Sequence, residues 1–417
     1  MHPDPEPVKS PELEHQLPPT ASHSSPLIAP PVWFLAISSA VAVIGLTILT
    51  PALPLVKTEL GVSSSAVQQL LTVYMIALAA GQLVFGSLSD RFGRRPILLL
   101  GAVMYTAGCI LATFSTDITL LIVLRALQGL GAAACTSMSR AMVNDVYERS
   151  EAARQLSAIA IALAVAPALS LIFGGFIAET AGWQGTMALL TIAGILVTAM
   201  AYAKGNETHL QPETSINVGS IASAYKSVLR NREFLAWTLS CGMQVGIFFS
   251  FNGFLAYQYQ RHGYSLAEFG IWFSLVPLSY ILGNSCNRKW FVARGIERAA
   301  MVGCCLSLAA TILLFSTQAI GMTSALSLAL PCALFGFGNG IVVANSMAGA
   351  IAASGQHAGT GSGVIGAWQM AAGGIAGTLI IALGGDEHFS IAAGITILMA
   401  IVSVVSMAQV YRNRVVD

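Results

Sequence analysis

Apolar and polar positions alternate along this chain on a long wavelength. Mostly apolar runs of about 20 residues, the length a helix needs to cross a bilayer, are separated by short polar links. Twelve such runs occur, at 33–55, 67–88, 97–114, 118–142, 155–178, 184–203, 234–257, 268–286, 299–317, 323–347, 359–383 and 390–410. The pattern predicts an all-α polytopic membrane protein of twelve transmembrane helices. One polar stretch between spans is long, 204–233. It divides the chain into an N-terminal half (32–203) and a C-terminal half (234–410) of six helices each. Within it, Ser220–Arg232 is expected to form a short surface helix. Residues 411–417 read as a tail.

Charge placement tests the span count. Only 9% of residues are charged, where a soluble domain carries roughly a quarter. When the link at 86–96 is put in the cytoplasm and the spans alternate, all but four of the 20 Lys and Arg fall on that side. The exceptions are Lys57 and Arg261 outside, and Arg125 and Arg140 within spans. One missed helix would invert everything after it, so both termini are expected to be cytoplasmic. The net charge of +1 adds nothing to this asymmetry.

Residues 1–31 hold many of the 16 prolines, with Ser, His and Glu among them, and should be disordered. They lack the basic start of a signal peptide, and the first apolar run is too long for an h-region, so that run should stay as helix one. The seven cysteines all sit in or at the edge of spans without CxxC spacing, so neither a disulfide framework nor a zinc site is expected. No Walker motif, nucleophile elbow or HExxH occurs, and enzyme activity is not expected. Asn206-Glu-Thr208 matches a glycosylation sequon by chance.

The link between the second and third runs reads Gly86-Ser-Leu-Ser-Asp90-Arg91-Phe-Gly93-Arg94-Arg95. It resembles the signature loop of the major facilitator superfamily of transporters, matching at Gly86, Asp90, Arg91, Gly93, Arg94 and Arg95. The resemblance implies a conformational switch in which Asp90 meets the start of span eleven, near Gly359–Gly361. Residues 284–298 occupy the equivalent place in the second half but have lost the motif, as a degenerate second copy would. In the fourth span, Arg125-x-x-Gln128-Gly129 resembles the superfamily's fourth-helix motif. Arg140 and Asp145 resemble the end of that helix in Bcr/CflA-type drug exporters, where an interfacial ion pair between the two is expected. In the fifth span, Pro167, Gly174 and Gly175 resemble the exporters' fifth-helix motif, with Ser170-Leu171 replacing its second Gly-Pro. Pro167 is expected to bend that helix and the glycines to allow close packing, as Pro51 bends or ends helix one.

A charge at membrane depth normally faces a cavity or a partner. Arg125 therefore has two readings: a group for substrate binding or coupling, or a structural cation bonded to neighbouring carbonyls. Gln128, Tyr74, Gln82, Gln244, Phe248, Phe251, Asn252, Asn345, Trp368 and Gln369 are further candidates for a mixed apolar–polar pocket, each alternatively a packing residue. The Bcr/CflA group carries an Asp in helix one where this chain has Thr47, and no acid lies deep in any span, so no residue is identified as the proton carrier.

The resemblance implies a secondary exporter of the bacterial inner membrane. It would move a small amphiphilic molecule, either a drug or a self-made metabolite such as a siderophore, by alternating access. Arg125 without a deep acid favours a neutral or anionic substrate. An uptake symporter or facilitator is the alternative. The expected partners are a small-molecule substrate, the lipid bilayer and a proton gradient. No cofactor, metal or nucleic acid is expected, and the chain should work as a monomer.

Overall fold

The computed structural model describes residues 30–209 and 218–416; the expected disorder of the N-terminal tail falls outside them. The described residues are helical, without a strand, in the order α1 (Val32–Thr47), α2 (Leu53–Leu60), α3 (Ser64–Phe92), α4 (Arg94–Thr113), α5 (Ile118–Val146), α6 (Arg149–Lys204), α7 (Val218–Arg230), α8 (Arg232–Arg261), α9 (Leu266–Phe273), α10 (Leu275–Cys286), α11 (Ile296–Ala319), α12 (Ala325–Ala353), α13 (Ala358–Ala382) and α14 (Phe389–Val416). Among these residues, 11 helical segments are long and apolar enough to cross a membrane. One of them, the long α6, contains two crossings, divided at Gly182 (φ 71°, ψ 178°), so twelve crossings result. α7 covers most of the stretch expected to be helical, Ser220–Arg232, but starts and ends two residues earlier. α14 runs on to Val416, through residues assigned above to a tail.

The first crossing bends rather than ends at its prolines. α1 stops at Thr47, a 3-10 turn over Thr50–Ala52 carries Pro51, and α2 resumes with Pro54 in its first turn, where a missing N–H costs nothing. α9 and α10 are likewise one crossing, bent at Ser274.

The two halves repeat each other in backbone detail. The turn between α3 and α4 passes through Gly93 (φ 91°, ψ 158°), and the turn before α11 passes through Gly295 (φ 99°, ψ 138°). These are matching positive-φ conformations that only glycine adopts without strain. The α4–α5 crossing is made of small residues: a Cβ on Gly131 would lie 2.5 Å from the Gly101 oxygen. The α11–α12 crossing matches it, with a Cβ on Gly303 2.8 Å from the Gly338 oxygen and the converse also 2.8 Å. In lipid no hydrophobic force draws helices together, so such close approach is what holds them. The outer surface is correspondingly apolar, with Val84, Val103, Val123, Ile161, Leu196, Leu282 and Leu398 more than half exposed. In water these would form adhesive patches; in a bilayer they face acyl chains.

The paired crossings generate a stability prediction. Gly131→Val and Gly338→Val should each destabilise by about 1–3 kcal/mol through overpacking. Both should lower the midpoint of thermal unfolding in detergent. Gly394→Val, where a Cβ meets nothing, should leave it unchanged.

Candidate transport cavity and its gates

The most deeply buried arginine, Arg125, bonds through two of its three nitrogens, and its Nη2 has no hydrogen-bond partner among the described residues. Arg125 on α5 is 0% exposed. Its Nε donates to the Leu70 carbonyl of α3 (2.9 Å), and its Nη1 donates to the Gly45 carbonyl of α1 (2.8 Å) and to Gln128 Oε1 (2.8 Å). Its guanidinium lies 4.2 Å from the Tyr74 ring centroid. Gln128 Nε2 donates in turn to the Gly108 carbonyl of α4 (3.1 Å), and Tyr74 OH to the Ala42 carbonyl of α1 (2.8 Å). One guanidinium therefore ties α1, α3 and α4 to α5. Gly45 sits in the last turn of α1, where carbonyls lack an intrahelical donor, so the cation supplies what the bend removes. Side chains at Gly45 and Gly108 would collide with Tyr74, Tyr105 and Gln128. These bonds are those of a cation held by neighbouring carbonyls, and neither Arg125, Gln128 nor Tyr74 lines the cavity described below.

At the end of the bundle bearing the 86–96 turn, here the loop face, a second network holds the N-terminal half together. Arg94 Nε donates to Asp145 (2.9 Å) and its Nη1 to Asp90 (2.6 Å). Glu207, just past α6, places its carboxylate on the first N–H groups of α4, Arg94 N (2.9 Å) and Arg95 N (3.1 Å). A helix N-terminus favours an anion there. A Cβ on Gly93 would lie 2.5 Å from Glu207 Oε2. Thr208 Oγ1 donates to Asp145 (2.9 Å), and His209 Nε2 lies 3.1 Å from the Asp90 carbonyl. The sequence reading passed over Glu207, Thr208 and His209, because nothing local links them to a turn more than a hundred residues earlier. Arg91 is exposed, and Arg95 Nη2 donates to the Tyr202 carbonyl (3.2 Å). A Cβ on Gly86 meets nothing in this conformation.

The expected Arg140–Asp145 ion pair is absent. Five residues correspond to about 140° of helix rotation, so the two side chains leave α5 on different faces. Asp145 turns to Arg94, and Arg140 turns inward.

Between the halves lies a cavity of about 270 Å³. Its walls are Ala42, Val43 and Leu46 (α1), Leu78 and Gln82 (α3), Thr136, Ser137 and Arg140 (α5), Leu163 (α6), Phe249 (α8), Met347 (α12), and Ser362, Gly363, Gly366, Gln369 and Met370 (α13). The α3, α5, α12 and α13 residues come from the halves of those helices nearer the loop face, so the cavity extends from mid-bundle toward that face. Arg140 is its single ionisable wall residue, and its side chain is exposed there. Of the expected pocket residues, Gln82 on α3 and Gln369 on α13 line the cavity. Three others bond between helices or turns: Gln244 Nε2 donates to Ser403 Oγ (3.1 Å), Thr50 Oγ1 donates to Asn252 Oδ1 (3.3 Å), and Asn345 Nδ2 donates to Asn287 Oδ1 (2.8 Å). Phe248 packs between Phe249 and Phe273. Thr47 is buried against Ser170 Oγ and the Val43 carbonyl.

The opposite, far face is sealed by contacts between the halves. Thr72 Oγ1 meets Thr378 Oγ1 (2.7 Å) and the Gly374 carbonyl (3.3 Å). Gln68 wedges against Gly253 and Gly377. α6 and α9 touch backbone to backbone, Gly175 on the Leu266 carbonyl and Gly270 on the Leu171 carbonyl. Gly174, one residue earlier, packs instead on the Ile48 carbonyl at the bend of the first crossing, and Pro167 lies within α6 a few turns before it. Glu179 accepts from Ala267 N (3.1 Å), and Lys57 pairs with Asp386 (3.6 Å).

Comparison with known proteins agrees with this architecture. The sequence profile described as "Major Facilitator Superfamily" matches residues 35–378. The chain is 25% identical over 352 residues to a bicyclomycin resistance protein homolog of Haemophilus influenzae, covering 84% of this chain and 88% of the relative. It is 28% identical over 358 residues to a chloramphenicol resistance protein of Pseudomonas aeruginosa, covering 85% and 84%. Among solved structures, a D-xylose-proton symporter superposes with a TM-score of 0.69 at 17% identity, covering 90% of this chain and 96% of that one.

If Arg125 is a tie between helices, its loss should act on stability. Arg125→Ala should lower the unfolding midpoint in detergent by about 5 °C or more, since three charged hydrogen bonds disappear together. Arg125→Lys should recover only part, because a point charge lacks the planar fork. Ligand binding by the fraction that remains folded should persist.

Proposed function

The chain belongs to the Major Facilitator Superfamily, and from that premise we propose that it is a secondary exporter of a small amphiphilic molecule, working by alternating access. The observation that carries this reading is the cavity between the two halves, open toward one face and sealed at the other. Its walls mix apolar side chains with a few polar groups, which suits an amphiphile. Relatives named for bicyclomycin and chloramphenicol resistance support a drug as the cargo; a self-made metabolite such as a siderophore fits the same walls. The basic loop face is cytoplasmic, with both termini on that side, and the membrane is the bacterial inner membrane. The structure then corresponds to the inward-facing state.

Export runs on the proton-motive force. Rocking one half against the other opens the α6–α9 and α3–α13 contacts of the far face and closes the cytoplasmic side. In that opposite state Asp90 exchanges Arg94 for the N-terminus of α13, and Gly86, unconstrained here, approaches the other half.

The test is a pair of strains differing only in this gene, together with inside-out membrane vesicles. Expression should raise the inhibitory concentration of chloramphenicol or another amphiphilic antibiotic about fourfold or more. Energised vesicles should accumulate the same compound, and a protonophore should abolish the accumulation. Equal susceptibility across a broad amphiphile panel, with uptake into intact cells instead of vesicles, would reverse the direction assigned.

A further inference from the structure

We propose that the cavity recognises an amphiphilic monoanion through Arg140, and that its export is driven by the electrical component of the proton-motive force. This rests on the exporter reading above and adds the substrate's charge and the form of coupling.

The charge census of the cavity carries the inference. Among its wall residues Arg140 is the single ionisable group, and no carboxylate or histidine stands opposite it. Arg140 has no ion pair among the described residues, although it lies in a membrane-spanning helix. The nearest acid along α5, Asp145, is held by Arg94 and Thr208. The other deep cation, Arg125, is sealed from the cavity among carbonyls and Tyr74. A cation left in a partly desolvated place without a counter-charge is costly, and a ligand anion supplies the missing partner. The guanidinium presents a planar fork that matches a carboxylate, sulfonate or phosphate. Thr136 and Ser137, one turn back on the same side of α5, offer hydroxyl donors to the same headgroup. Phe249, Met347 and Met370 offer an adaptable apolar wall for the rest of the molecule.

The same census solves the coupling problem left by Thr47. No wall residue carries a proton in the physiological range, yet Arg140 carries a fixed charge through the cycle. Loaded, Arg140 and the anion cross as a neutral pair. Empty, Arg140 returns with its positive charge, and an inside-negative potential pulls that return inward. The net movement per cycle is one negative charge outward, with no proton bound or released by the protein. A potential of 100 mV acting on one charge sustains about a 50-fold concentration ratio.

The experiment uses the full-length protein in liposomes at equal pH on both sides, with potassium gradients and valinomycin setting the potential. Protein-free liposomes correct for leakage. Three probes are compared: 2-naphthalenesulfonate, a permanent monoanion; ethidium, a permanent cation; and neutral chloramphenicol. A lumen-positive potential should speed naphthalenesulfonate entry at least tenfold over zero potential, whereas a pH gradient alone should not. Arg140→Gln should weaken naphthalenesulfonate binding at least tenfold and abolish the response to potential, with an unchanged unfolding midpoint. Arg140→Lys should retain part of both. Wild-type movement of ethidium or chloramphenicol without naphthalenesulfonate would overturn the anion assignment and leave the exporter reading standing. Equal naphthalenesulfonate binding and potential response in Arg140→Gln would also overturn it. Movement of none of the three probes under either gradient would remove the exporter reading and this inference with it.

Discussion

A guanidinium that water does not reach holds the first half of this protein in register. Arg125 donates to carbonyls of α1 and α3 and, through Gln128, fixes α4. In a bilayer these bonds have no competition from solvent, and breaking one leaves a buried charge or carbonyl without a partner. The bend at Thr47–Pro51 depends on this arrangement, because Gly45 lies at the turn where α1 gives up its own hydrogen bonds. Glycines at 45 and 108 keep the space around the knot clear. The result is that α1, α3, α4 and α5 are tied to one another around a single side chain.

α5 carries two arginines with different fates. Arg125 is held by carbonyls and Gln128 of its own half, whereas Arg140, about 22 Å further along the axis at 1.5 Å per residue, faces the cavity without a counter-ion. The loop-face network explains why. Arg94 holds Asp145 and Glu207 closes the N-terminus of α4, so neither of these acids pairs with Arg140. The structural cation and the cavity cation are thereby separated on a single helix, and the segment at 207–209 that follows the sixth crossing helps to keep them so.

The fold was legible because its determinants are long and local. Twenty-residue apolar runs and the placement of arginines at their ends fix the number of crossings without any knowledge of packing. The Gly93 turn and the bend at Pro51 were legible for the same reason, since φ at glycine and proline is a local property. The cavity was much less so. Depth in a span marked Arg125 as important, but depth does not say whether carbonyls of three neighbouring helices close around it. Gln244 and Asn252 carried the same ambiguity, and each met a hydroxyl on another helix. For Arg140 and Asp145 the spacing itself argued against a pair, since five residues do not share a face. Glu207 was out of reach, being set by tertiary proximity alone.

If this conformation is one end of a transport cycle, the α3–α13 contact that closes the far face must part during transport. A direct measurement is to introduce Thr72→Cys and Thr378→Cys into a variant lacking the native cysteines, where the two hydroxyls meet at 2.7 Å, and to compare the oxidised and reduced protein in liposomes. The oxidised protein should bind substrate from the loop face but not transport it, and reduction should restore transport. Undiminished transport by the fully cross-linked protein would show that these helices do not part, and would contradict that requirement.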